Sequence, residues 1–155
     1  MKIHKTTYLS LGTNQGNKLE NLQNAINEID HEVGAIQSIS SIYKTRAWGF
    51  DGDDFYNICI KVTTYLKPEA LMRVLLEIEN KLGRTRSSEL GYQSRNIDID
   101  ILLFDDEVII SKNVTVPHPK MLKRRFVMIP LAEIASSIIH PVTKEQIEIW
   151  IQNGI

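Results

Sequence analysis

The run Arg95, Asn96, Ile97, Asp98, Ile99, Asp100, Ile101 sets two aspartates one residue apart among β-branched isoleucines. Such a run predicts a strand, in which alternate side chains share a face, so Asp98 and Asp100 stand on one side about 6.6 Å apart along the backbone. At an effective dielectric near 20 their repulsion is ~2.5 kcal/mol, which a nearby cation must offset. Hard divalent cations take oxygen ligands and can sit ~3.5–4 Å apart in pairs, which suits the doublet. The competing reading is a solvent-facing strand, or an ion-pair network in which Arg95 serves one carboxylate. That reading accounts for the alternation but not for aspartate twice.

A basic stretch lies before the doublet, from Arg84, Thr85 and Arg86 to Arg95, and Lys123, Arg124 and Arg125 follow in the tail. Guanidinium forks bind phosphate oxygens bidentately, and with metal-bound carboxylates they make the clamp that phosphoryl transfer requires. Each basic cluster taken alone is more often a solvated charged patch than a site; only combined with the aspartates do they point to ATP. No GxxxxGK[ST] sequence is present, and Gly12–Gly16 has no lysine to make it one, so that loop reads as a connection beside the site. His118, between Pro117 and Pro119, either donates a hydrogen bond to a phosphate or caps a turn. His4, His31 and His140 show no metal-ligand spacing, and no nucleophile, base and orienter form a triad.

The elements that must position these groups follow from periodicity. Residues 6–11 predict a strand, and Asn17 with Glu20 predicts the cap of a helix whose stripe is Leu19, Leu22, Ala25, Ile26, Ile29 and Val33, stopped at Gly34. Strands are expected over 36–45 and 55–65. Between them, Arg46–Asp54 carries Trp48 and Phe50, which either pack on the core or serve a site. Pro68 opens a second helix with Ala70, Leu71, Val74, Leu75, Ile78 and Leu82 on its apolar face, ending at Gly83. Residues 84–95 form a long polar segment, IDIDILLF a strand, and the VII beyond Asp105 and Asp106 its hairpin partner. Short helices are expected near 120–135 and 143–152. The order β, α, β, β, α, β argues for an α+β ferredoxin-like sheet, antiparallel or mixed, of about four strands with helices mainly on one face.

A net charge of -1 gives no global field for nucleic acid or an anionic membrane, so any anion site is local. With 43% hydrophobic residues in 155, one compact domain over 1–155 is expected. Cys59 is the only cysteine and sits in an apolar run, which predicts a buried thiol and a reducing, cytoplasmic setting. The apolar stretch at the N-terminus is too short for a signal peptide, and no run reaches membrane-spanning length.

Read in order, YLSLGTNQGN, SSIYKTRAWG, DFYNICIKV, IENKLGRTR, RNIDIDILLF and TVPHPKMLKRRFVMIPLAEI resemble the 6-hydroxymethyl-7,8-dihydropterin pyrophosphokinase family over nearly the whole chain. The resemblance implies a three-layer α-β-α form of the ferredoxin-like fold and transfer of pyrophosphate from ATP to the pterin by in-line attack, with AMP leaving. It implies two magnesium ions held by Asp98 and Asp100, and phosphate contacts from Arg84, Arg86, Arg95, His118 and Arg124. Glu79 and Ile101 would lie near the nucleoside. Phe55 and Phe126 would sandwich the pterin, while the side-chain amide of Asn57 with backbone groups at Thr45 and Trp48 would read its hydrogen-bonding edge. A cytoplasmic monomer acting on small molecules, without nucleic acid or membrane, is the expectation. The chain departs from the family pattern at Gly91, Tyr92, Gln93 and Ser94, where many members carry Trp-Gly-Pro, and at Leu76, Asn113 and Pro119. A nucleotide-binding regulatory module and a small RNA-binding domain of the same topology are the rivals, and the aspartates count against the second by repelling phosphate.

Overall fold

The computed structural model describes residues 3–46, 54–83 and 96–152. Trp48, Phe50, Arg84, Arg86 and Arg95 lie outside these residues. In chain order the elements are β1 (Lys5–Thr13), α1 (Lys18–Glu32), β2 (Gly34–Ile39), β3 (Tyr43–Thr45), β4 (Phe55–Thr64), α2 (Pro68–Gly83), β5 (Asp98–Phe104), β6 (Ile109–Ile110), β7 (Thr115–Val116), a 3-10 turn (Met121–Lys123), α3 (Arg125–Ala135) and α4 (Ile147–Gln152).

The main sheet has five strands in the order β2-β4-β1-β5, with β3 also on β4. Every pairing in it is antiparallel. This is the ferredoxin-like arrangement. The central strands β1 and β4 are apolar on both sides because both faces are covered. Leu9, Leu11, Ile58 and Ile60 face α1 and α2, where Ala25, Ile29, Leu71 and Leu75 complete one core. Tyr8, Cys59, Leu102 and Leu103 face α3 and α4, meeting Met128, Leu131 and Ile147. Helices therefore cover both faces rather than mainly one, giving the three layers. Full burial of a leucine such as Leu9 contributes roughly 2 kcal/mol. Burial pushes the Cys59 thiol far up, which leaves it an inert packing group beneath the Val127 carbonyl.

Several local expectations change. Residues 36–45 are two strands: between the pairs Ile39–Ile60 and Tyr43–Asn57, four steps on this side oppose three on β4. The extra residue is a β-bulge. Ser40 bridges it, because its hydroxyl accepts the Cys59 N–H at 2.9 Å. The VII segment does not pair with β5; Ile109 and Ile110 pair with β7 in a separate two-stranded sheet. Asp105 takes φ 48° and its carboxylate accepts the Thr6 N–H at 2.8 Å, so the turn is tied to β1. In α1 the Asn17 side chain accepts the Glu20 N–H as the capping pair requires, but Leu19 is exposed. Gly34 does not end α1 with a left-handed cap. It opens β2 so close to β4 that a Cβ there would lie 2.0 Å from the Thr63 carbonyl oxygen.

Two outcomes follow from this packing. Gly34→Ala must push β2 from β4 and should cost about 2–4 kcal/mol in chemical denaturation; a loss below about 0.5 kcal/mol would contradict the close approach. His140 is buried, its Nδ1 accepts from the Val142 and Thr143 N–H groups, and burial lowers its pKa from 6.5. The unfolded imidazole therefore binds a proton more readily than the folded one, and stability rises with pH through the window just below 6.5. Thermal melts of the wild type should lose stability on acidification through that window, and His140→Asn should flatten the slope.

Candidate active site

Asp98 and Asp100 project from the face of β5 opposite Ile97, Ile99 and Ile101, which are buried. Asp98 is exposed and Asp100 half-buried. The alternation breaks only past the doublet, where a bulge at Leu102 sets Leu102 and Leu103 on the same side. Two anchors fix the strand. Glu79, 4% exposed on α2, accepts the Ile99 N–H at 2.7 Å through Oε2, between the two aspartates. Asn96 donates to the Leu82 carbonyl at 3.1 Å, and its own carbonyl accepts from the Thr13 hydroxyl at 2.6 Å. Asn21 of α1 donates to Thr13 Oγ1 at 3.1 Å and to the Gln15 carbonyl at 2.8 Å. The ends of α2 and β1 and the start of β5 are thus drawn together immediately before Asp98.

Sheet pairing gathers the next group. Asp98 is opposite Gly12, and Asp100 is opposite Ser10. Gly12 is in turn opposite Asn57. Thr45 is opposite Phe55, and Tyr43 is opposite Asn57. The Asn57 amide donates to Thr45 Oγ1 at 2.9 Å. A Cβ on Gly12 would stand 3.0 Å from Asn57 Oδ1 and 4.0 Å from Phe55 Cδ1. Glycine therefore lets the asparagine lie across β1, and its place is inside the strand rather than in a loop beside the site.

The tail supplies the rest of the wall. Arg124 directs Nη1 to within 4.0 Å of Asp100 Oδ2, and its guanidinium carbon lies 5.7 Å from the Phe126 ring centre. Both groups are partly solvated, so the ion pair itself contributes little. Its significance is placement, because it brings an arginine of the tail to Asp100. Phe126, in the first turn of α3, is 40% exposed, so its ring is accessible beside these charges. His118 donates its N–H to the Leu102 carbonyl, and its Nδ1 accepts from the Lys120 N–H at 3.1 Å. The turn-capping reading is therefore realised, and it assigns the proton of the neutral ring to Nε2, free to donate. Burial is the main cause that lowers the His118 pKa; Asp100 opposes it, while Arg124 and Lys120 add to it. Ile101 turns its side chain into the α1–α2 core.

Among the described residues no group of three His, Cys, Asp or Glu side chains could enclose a metal. Two aspartates on an open face fit a different pattern. Magnesium takes one or two carboxylates and completes its shell with water and substrate phosphates. Asn21, Asn96, Thr13 and Gly12 escape a reading of single motifs. The signals they left were Asn96 inside the aspartate run and a glycine within a strand.

An acidic doublet beside a guanidinium and an accessible aromatic, on a ferredoxin-like sheet, defines a small-molecule enzyme of phosphate chemistry. Residues 8–136 match the family model described as 7,8-dihydro-6-hydroxymethylpterin-pyrophosphokinase. The 2-amino-4-hydroxy-6-hydroxymethyldihydropteridine pyrophosphokinase of Aquifex aeolicus is 39% identical over 92% of this chain and 88% of its own length. The enzyme of that name from Bacillus subtilis is 36% identical over 98% and 94%. A crystal structure of wild-type Plasmodium falciparum HPPK-DHPS superimposes with a TM-score of 0.80 at 17% identity over 99% of this chain, which spans 45% of that longer one; that likeness speaks for the fold. The chain belongs to the 6-hydroxymethyl-7,8-dihydropterin pyrophosphokinase family. Its reaction is transfer of pyrophosphate from ATP to the pterin, a step of folate biosynthesis.

Because a methyl group at Gly12 meets Asn57 at 3.0 Å, Gly12→Ala should raise the KM for the pterin by about two- to tenfold while the KM for ATP holds. Steady-state kinetics with each substrate varied in turn checks this. Equal changes in both constants would show that the glycine serves the sheet as a whole.

Proposed function

We propose that Asp98 and Asp100 hold two magnesium ions against the ATP phosphates and that the sheet face beside them binds the pterin. The observation that carries this reading is the shared face: the aspartates, Gly12 and Asn57 lie in adjoining registers of β5, β1 and β4. When bound, the ions would supply positive charge that offsets the negative charge of the phosphates as it develops in transfer.

The protein's own part is orientation. Phe55 and Phe126 enclose the pterin ring, and Asn57 with Thr45 reads its polar edge, assisted by Trp48. The hydroxymethyl oxygen then lies in line with the β-phosphorus; the new O–P bond forms as the bond to the AMP oxygen breaks, and the hydroxyl proton leaves to water, without a covalent enzyme intermediate. Arg124 exchanges its long contact with Asp100 for a phosphate oxygen, and the Nε2–H of His118 donates to another. Burial favours the neutral ring, in which Nδ1 stays an acceptor for the Lys120 N–H and the proton therefore sits on Nε2. Arg84, Arg86 and Arg95 complete the phosphate contacts; Arg95 immediately precedes the anchored Asn96 in the chain. Glu79 acts from beneath by fixing the strand between the two aspartates, and Ile101 offers the nucleoside its backbone.

The enzyme is read as one catalytic domain over 1–155 that works as a cytoplasmic monomer. The single buried thiol supports a reducing compartment. Among the described residues no helix is long and apolar enough to cross a membrane.

Incubation with ATP, magnesium and 6-hydroxymethyl-7,8-dihydropterin should release AMP only when the pterin is present. Asp98→Ala and Asp100→Ala should each lower kcat by about 10²-fold or more. ADP as product, or full activity in both variants, would overturn the assignment.

A further inference from the structure

Glu133 lies on the exposed side of α3, outside the cleft. Its carboxylate is nevertheless fully engaged. Oε1 accepts from the Tyr43 hydroxyl at 2.6 Å and the Ser41 N–H at 3.0 Å. Oε2 accepts from the same N–H and from the Ser41 hydroxyl, both at 3.0 Å. The Tyr43 bond is the main cause that holds the Glu133 carboxyl below its usual range, and the same bond raises the phenol. At neutral pH the acceptor is a carboxylate, which makes these charge-assisted bonds.

Tyr43 opens β3, and Ser41 lies in the connection just before it. β3 has three residues and, among the described residues, pairs only with β4. The bulge interrupts the ladder immediately before it, so few backbone bonds support the strand. Yet β3 carries Thr45, whose hydroxyl receives the Asn57 amide, and Tyr43 is the residue opposite Asn57. A short strand with little ladder support adopts one position only if something outside the ladder holds it, and Glu133 is placed to do so from the neighbouring layer.

We infer that Glu133 is a positioning residue for the pterin, acting through Ser41 and Tyr43 on β3 and through Thr45 on the amide of Asn57. This rests on the reading that Asn57 and Thr45 meet the pterin edge. Glu133 touches neither substrate. Its removal loosens an amide that must be directional to discriminate, so the effect falls on pterin recognition and spares ATP.

The test is steady-state kinetics of Glu133→Ala, Glu133→Gln, Tyr43→Phe, Asn57→Ala and the double variant Glu133→Ala/Asn57→Ala, with thermal melts alongside. Glu133→Ala should raise the KM for the pterin about three- to tenfold, with the KM for ATP and kcat within about twofold of wild type. Tyr43→Phe should move the same constant by less, and Glu133→Gln, which keeps an acceptor oxygen, should recover most of the loss. Because Glu133 acts through Asn57, the double variant should resemble Asn57→Ala alone rather than the product of the two effects. An unchanged pterin KM in Glu133→Ala beside a raised one in Asn57→Ala would overturn the inference and leave the pocket reading standing. Equal losses for both substrates, or full additivity in the double variant, would reduce Glu133 to a stabilising clamp. No change in Asn57→Ala would mean that the pocket reading fails and the inference with it.

Discussion

Two carboxylates held on one face of one strand are the constraint around which the rest is arranged. Strand geometry forbids Asp98 and Asp100 from turning apart, and aspartate is a poor strand former, so the protein bears ~2.5 kcal/mol of repulsion in a segment that also needs support. The support comes from neighbours that do not approach the aspartates' open side. Glu79 takes the backbone N–H between them, and the Thr13–Asn21–Asn96 network fixes the residues before them. Arg124 places a positive charge within 4.0 Å of Asp100. The doublet is therefore fixed in its backbone, with Asp98 exposed and Asp100 half-buried.

The second layer of organisation is the division of one sheet face. On the α3 side, Tyr8, Cys59, Leu102 and Leu103 are sealed under helices. Farther along the same strands the face carries Ser10, Gly12, Asn57, Phe55 and the two aspartates. The boundary falls where α3 begins, at Arg125, and there Arg124 reaches Asp100 and lies beside the Phe126 ring. Helix start and site edge are one feature: α3 both completes a core and contributes a charge and a ring. Glu133, two turns farther on, returns the connection by tying the weakly paired β3 to the same helix.

Much of this was legible from residues alone. Asn17 with Glu20, Pro68 with its apolar stripe, and the Asp-Ile-Asp alternation are local patterns, and capping, helical spacing and strand pleat act over a few residues. The expected helix stripe failed at Leu19 because helical periodicity defines a face but not how far the partner surface extends. The hairpin after β5 failed because Asp105 turns back to β1, and Ile109 and Ile110 find their partner in β7, a choice made by non-local contacts. The single strand over 36–45 failed because a bulge leaves no mark on alternation that serines already blur.

What the sequence by itself determined is the inventory: two aspartates forced to one face, basic residues enough to meet phosphate, a cysteine destined for burial, and five strand or helix segments whose periods are unambiguous. Only the tertiary structure decided which residues meet. That Arg124, 24 positions beyond Asp100, reaches that aspartate, that a side chain at Gly12 would meet Asn57, and that an exposed Glu133 binds Ser41 and Tyr43 all depend on register and on the packing of layers. Those are set by the summed burial of two cores, in which each contact joins residues far apart in the chain, so no window of the sequence contains them.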